Sequence, residues 1–253
     1  MRRTQLFLST AFLLAPATAV HGQDLGFTLP DIVFGTAFRD ERAILDTPVA
    51  TAVREGEDLS RRQATDFQDL IGAIPGVSID GGPRGISQEP NIRGFRDEQV
   101  VLRFDGGRVN FNQAHRGRFF VDPLLVQRVE VVRGGGSTLF GSGALGGVIS
   151  VETVDAADLL MDGQTTGARV TLGYDSNGNQ FNGTGIIFGD FGNVDALLAL
   201  SGRSVTDNLV DGGGDDIPFS EIDQGNALVK FGFEPNADNR FEFSYNLYQD
   251  MAD

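Results

Sequence analysis

The chain has 253 residues, enough for one large domain or two ordinary ones, and a net charge of −15. That charge excludes a nucleic-acid partner, because neutralising phosphates needs clustered Lys and Arg. The absence of cysteine excludes disulfide scaffolds, thiolate metal sites and cysteine nucleophiles, and 34 Gly with 20 Phe favour short strands and turns.

The first residues, MRRTQLFLSTAFLLAPATAVHGQ, open on Arg2 and Arg3, run apolar from Leu6 to Ala15 and end on small side chains. This is the pattern of a secretory signal peptide over 1–22, cut after Ala19 or Gly22. Its apolar run falls short of the roughly 20 residues of a spanning helix. No later segment is long enough either, so any membrane residence has to use strands. Residues 23–41 are extended, with a strand-like hexamer at Asp31, Ile32, Val33, Phe34, Gly35 and Thr36.

The interval 42–155 reads as a small α+β domain. A helix is predicted near Thr65–Ala73, with Leu70, Ile71 and Ile74 apolar and Pro75-Gly76 as the stop. Strands are predicted at Gln88–Phe95, Val100–Phe104, Val126–Arg133 and Gly147–Thr153. The segment DAADLLMDG then reads as a polar link.

From 156 to 253 the pattern changes to two-faced strands of about ten residues. Phe241, Phe243, Tyr245 and Leu247 fall opposite Glu242, Ser244 and Asn246, and Ala227, Val229, Phe231 and Phe233 fall opposite Leu228, Lys230 and Gly232. Transmembrane β-strands, apolar towards lipid and polar towards a lumen, fit this alternation; so does a soluble exported sandwich. Five such strands cannot close a barrel, so the chain is expected to be the N-terminal part of a larger protein. The predicted fold class is mainly β: a small α+β domain followed by the first strands of a transmembrane antiparallel β-barrel, incomplete in this chain.

Within VQRVEVVRGGGSTLFGSGALGGVISVET, Gly141, Gly143 and Gly146 satisfy the G-x-G-x-x-G spacing of a dinucleotide loop. Such a loop needs a strand before it and a helix after it, so that the helix N-terminus faces the pyrophosphate. Here STLF before it reads as a helical turn and GVISVET after it as a strand. The order is inverted, which removes the nucleotide reading. No G-K-[ST] follows to make a P-loop.

The same stretch resembles the C-terminal part of the plug domain of TonB-dependent outer-membrane receptors. Arg133, Gly134, Ser137, Leu139, Gly141, Gly146, Gly147, Val148 and Ile149 match; Gly135, Phe140 and Ser150 stand where Pro, Tyr and Asn are usual. DLIGAIPGVSI, NIRGF (with Arg93 and Gly94) and VVLRFDGGRV occur upstream in the family's order. DIVFGT looks like the TonB box, which the family offers to TonB by β-augmentation. The segments HRGRFFVDPLLVQRVEVVRG and GSGALGGVISVETVDAADLL look most like haem and haemoprotein receptors.

The resemblance implies a receptor and transporter in the outer-membrane lipid that captures haem or a haemoprotein, with TonB as its energising partner. It implies no enzyme activity and no permanently bound cofactor, haem being the transported ligand. A receptor for a ferric siderophore or other large solute, and an exported soluble β-rich binding module, are the alternatives. His115, in the polar loop NFNQAHRGRFF, is then an axial-ligand candidate for the haem iron or a plain surface histidine. Arg93, Glu130 and Arg133 read as charges that pair inside the plug or tie it to the barrel. The acidic run Asp211–Asp216 reads as a solvated loop rather than a calcium site, since it lacks ligand spacing. No nucleophile–base pair is visible.

Overall fold

The computed structural model describes residues 33–34, 42–43, 49–110 and 118–251. Two short strands, β1 (Val33–Phe34) and β2 (Arg42–Ala43), pair antiparallel. The inner domain then starts with β3 (Ala50–Glu55), α1 (Gly56–Arg62) and α2 (Phe67–Ile71). Helix α2 is shorter than the predicted 65–73. Asp66 caps its start by accepting from Asp69 N at 2.9 Å, and Gly72 closes it before Pro75 is reached.

The predicted strand Gln88–Phe95 is two strands. After β4 (Val77–Asp80), β5 (Glu89–Ile92) turns back into β6 (Phe95–Arg96) through Arg93 and Gly94, at φ +53° and +91°. Asn91 Oδ1 accepts from Gly94 N at 2.9 Å and locks that turn, a side-chain cue the alternation of apolar residues does not carry. The remaining inner strands are β7 (Val100–Phe104), β8 (Gly107–Arg108), β9 (Val126–Arg133) and β10 (Gly147–Thr153), with α3 (Ser137–Phe140) before β10. They form a sheet of order β3-β9-β10-β7-β8, in which β10 runs parallel to β7 and antiparallel to β9.

The expected polar link contains a helical turn, α4 (Ala156–Leu159), closed by Asp155 N donating to Asp158 Oδ2 at 2.8 Å. A second sheet follows: β11 (Thr166–Asp175), β12 (Gln180–Asp190), β13 (Val194–Val205), β14 (Leu209–Val210) and β15 (Asp216–Ile217) in a side hairpin, β16 (Ile222–Asn236) and β17 (Asn239–Met251). Its order, β11-β12-β13-β16-β17, is an antiparallel meander. Residues 191–193 and 237–238 make tight turns at one end, whereas 206–221 makes a long excursion at the other.

The two faces of this wall differ. Leu172, Ile187, Leu200, Phe241, Phe243 and Leu247 on the outer face are each more than half exposed. A sandwich in water would put polar groups there; a wall against lipid would not. The inner face is only partly polar: Gln180, Thr184, Arg203, Asn226 and Lys230 are buried there beside apolar side chains. Ile186, Phe188, Leu197, Ala199 and Leu228 are buried in one cluster with Phe67, Leu70, Leu102, Phe119 and Ile149 of the inner domain. Those wall residues meet packed protein rather than water, so apolar side chains are favoured. Phe67 stacks on Phe119 at 3.8 Å between ring centroids at the centre of this shared core.

Candidate functional site

The glycine loop shows why its spacing imitates a phosphate cradle without being one. Helix α3 precedes it and strand β10 follows, so no helix N-terminus faces its amides. A Cβ at Gly143 would stand 2.5 Å from Glu98 O, and one at Gly146 2.4 Å from Phe95 Cβ. One at Gly147, where φ is +151°, would stand 2.0 Å from Val132 O. Gly141 N donates to Ser137 O at 3.0 Å and Gly146 N to Gln99 O at 2.9 Å, so the amides of two of the three motif glycines are spent on neighbouring backbone. Gly141, at φ +81°, ends α3.

Arg93, Glu130 and Arg133 sit inside the inner domain. Arg133 donates to Pro75 O at 2.6 Å and Thr51 O at 3.1 Å. Burial, and then the nearby Arg93 charge, push its guanidinium below the usual arginine range. Glu130, 1 % exposed, accepts from Arg128 Nε at 2.8 Å, and Arg128 also reaches Glu55 at 2.7 Å. Arg93 N donates to Gly76 O at 3.0 Å. Of the TonB-box hexamer, Val33 and Phe34 form β1, while Asp31, Ile32, Gly35 and Thr36 lie outside the described residues, as does His115. Asp211 Oδ1 accepts from Gly213 N at 2.8 Å and Asp215 N at 3.0 Å, a self-contained turn. Among the described residues, no group of three or more His, Asp and Glu could hold a metal ion.

Sequence reasoning missed the polar groups joining the inner domain to the wall. Lys230 of β16, 4 % exposed, points inward, 2.9 Å from Asp155, 3.5 Å from Asp105 and 3.7 Å from Glu242. It also donates to Thr153 O at 3.1 Å. Asp105 in turn accepts from Thr153 N and Oγ1, both at 2.8 Å, and from Ser244 Oγ at 3.2 Å. Closer to the long-loop end, Asn226 Oδ1 accepts from Asp122 N at 2.7 Å and Asn246 Nδ2 donates to Phe120 O at 2.6 Å. Arg203 donates to Thr65 O at 2.9 Å and to Gln180 at 3.0 Å, and Arg84 pairs with Asp250. The available signal was Lys230 itself, a single cation on the inward face of the apolar run ALVKFGF.

Burial pushes the carboxyls of Asp66, Asp122 and Asp158 above the ordinary aspartate value, outweighing the hydrogen bonds that favour their charged forms. Between the unfolded value of 3.8 and the higher folded value, the folded state keeps protons that the unfolded state has lost. Stability contributed by these groups is therefore complete below that window and is lost as pH rises through it. Asp122→Asn, which keeps an oxygen to accept from Leu124 N, is expected to flatten this fall. Urea midpoints measured from pH 3.5 to 7 check it, and an unchanged slope in the variant refutes the assignment.

Comparison with known proteins agrees with this geometry. Residues 43–148 match the family model described as TonB-dependent Receptor Plug Domain. The chain is 35% identical over 245 residues to "Heme/hemopexin utilization protein C" of Haemophilus influenzae, covering 97% of this chain and 33% of that protein. It is 36% identical over 205 residues to "Hemin receptor" of Yersinia enterocolitica, covering 78% of this chain and 30% of that protein. Among solved structures, the Serratia marcescens hemophore receptor HasR, in complex with its hemophore HasA and heme, superposes with TM-score 0.73 at 28% identity, over 83% of this chain and 32% of that one. The FrpB iron transporter of Neisseria meningitidis gives TM-score 0.69 at 30% identity, over 78% of this chain and 31% of that one. The chain spans about a third of the length of the curated relatives it matches. With an inner domain matching the plug and five antiparallel strands packed around it, apolar side outward, the chain belongs to the TonB-dependent receptors.

Proposed function

We propose that the receptor to which this chain belongs captures haem or a haemoprotein at the outer membrane and imports it into the periplasm. The observation that carries this reading is the 35% identity to a heme utilization protein along 97% of the chain. In this reading residues 1–22 direct export, 42–155 are the plug, and 156–253 supply wall strands. The long excursion 206–221 lies on the outside and the short turns face the periplasm, as in other outer-membrane barrels. Asp31–Thr36 pairs with TonB by strand addition, which requires β1 to exchange its present partner, β2. No covalent chemistry is involved: ligand binding biases the plug, and pulling on its N-terminal segment opens a path.

His115 is the proposed axial ligand from the plug side. In the complete receptor, His115→Ala is expected to shift the haem absorption spectrum and weaken haemin binding by at least about tenfold. An unchanged spectrum and affinity would remove His115 from the site. The likeness to the FrpB iron transporter favours a second reading, a non-haem ferric complex as cargo. A receptor that ignores haemin but binds a ferric siderophore decides for it.

A further inference from the structure

A polar cleft of about 360 Å³ opens on the plug between the start of β7, the end of β8 and the glycine loop. Arg118, 7 % exposed, forms its floor, and the exposed residues Arg108, Asn110, Glu98 and Ser142 form its rim. Both guanidiniums are positioned by backbone carbonyls. Arg108 donates to Phe140 O at 3.2 Å and to Ser142 O at 2.6 Å, and Arg118 donates to Asp97 O. Carbonyls hold a guanidinium in place without cancelling its charge.

The glycine loop fixes Arg108. A Cβ on Gly143 would lie 2.5 Å from the backbone Glu98 O and 3.0 Å from Arg108 Nη2, so glycine at 143 leaves room for the Arg108 side chain against Ser142 O. Burial and the adjacent Arg108 charge work against the charged form of Arg118, while Asp97, Glu89 and Glu98 favour it. The floor of the cleft is thus a desolvated cation, with the carboxylates of Asp97 and Glu89 beside it and the Arg108 guanidinium as a second cation at the rim.

The cleft's place in the fold suits a ligand arriving from outside. Asp105 and Thr153, at the far ends of β7 and β10, are bonded to Lys230 towards the short-turn end of the wall. Phe120, two residues beyond Arg118, meets the wall at Asn246, towards the long-loop end. The starts of β7 and β10, and the cleft with them, therefore lie on the side of the plug away from the periplasmic turns.

We propose that this cleft is a carboxylate subsite, in which Arg118 and Arg108 receive an anionic carboxylate of the transported ligand. The proposal rests on the reading of the chain as part of an importer of iron ligands. The chain carries a net charge of −15, which opposes anions as a whole, so a paired guanidinium site supplies a specific landing point. Haem presents carboxylates through its propionates, and a ferric carboxylate complex such as ferric citrate presents the same group. Glu98 at the rim opposes an anion and acts as a tuning residue.

The test compares haemin with haemin dimethyl ester on the complete receptor. Arg118→Gln is expected to weaken haemin binding about ten- to a hundredfold while leaving ester binding nearly unchanged. Arg108→Gln should act in the same direction but less, and Glu98→Gln should strengthen haemin binding a few-fold. Arg118→Lys, which keeps the charge, should recover part of the loss and guards against misfolding. If wild type and variants bind haemin and its ester alike, the subsite is wrong while the haem reading stands. If wild type binds neither porphyrin, the haem reading falls, and the same variants are titrated with ferric citrate. Loss of ferric citrate binding in Arg118→Gln then supports the subsite. Unaltered binding, or no binding by wild type, overturns it.

Discussion

Lys230→Met is expected to destabilise the complete receptor by about 3 kcal/mol, the lower part of the range for removing one partner of a buried ion pair. Methionine fills nearly the same volume, so the cost is electrostatic. Asp155, Asp105 and Glu242 lose the cation they share, and Thr153 O loses its donor. Those side chains are 15 to 33% exposed, which allows water to recover some of the lost interaction. Because the cluster joins plug to wall, the deficit should appear as a loosened plug as well as a lower denaturation midpoint. Limited proteolysis should cut the plug faster in the variant, with the wall still heat-modifiable. Asp155→Asn added to Lys230→Met should restore part of the loss, since the pair is coupled. Equal midpoints and cleavage rates for Lys230→Met and wild type would show that this cluster does not hold the plug.

What could be read from the sequence, and what could not, follows from the range of the forces involved. Strands β7, β9 and β10 and the turn STLF stand where their β-branched runs and small flanking residues place them, because those cues are local. The break at Arg93-Gly94 was missed because a hydrogen bond from Gly94 N to Asn91 Oδ1 sets it, not a change in alternation. Arg203 donates to Thr65 O across 138 positions, and Lys230 reaches Thr153 O across 77. No periodicity encodes such pairs. The same holds for the wall's inner face: Phe188 and Leu228 are apolar because a packed plug occupies the lumen, a neighbour that an alternating pattern cannot announce. The motif residues of the plug were legible as a pattern, whereas the use of the glycine loop to close on Arg108 needed coordinates.

Gly147→Ala is expected to be among the most damaging single-methyl changes in the plug, costing about 3 kcal/mol or more. Two costs combine there. At φ +151° an L side chain is strained whatever space surrounds it, a penalty of roughly 1–3 kcal/mol. The added Cβ would also fall 2.0 Å from Val132 O and 3.1 Å from Ile92 Cδ1. Val132 O is backbone of β9, directly across from β10, so the contact cannot be relieved by a rotamer change. Relief requires β9 and β10 to separate where Gly147 faces Arg133 on one side and Val100 of β7 on the other. The middle of the five-stranded plug sheet therefore loses its register, and Val148 and Ile149, both fully buried, shift with it. Gly134→Ala is the matched control: its φ is +130°, but nothing lies within 4 Å of an added Cβ, so it carries the conformational cost alone. A urea series on the complete receptor should rank wild type above Gly134→Ala and Gly134→Ala above Gly147→Ala. If the two alanine variants are equally stable, conformational strain accounts for both, and close approach to Val132 is not what requires glycine at position 147.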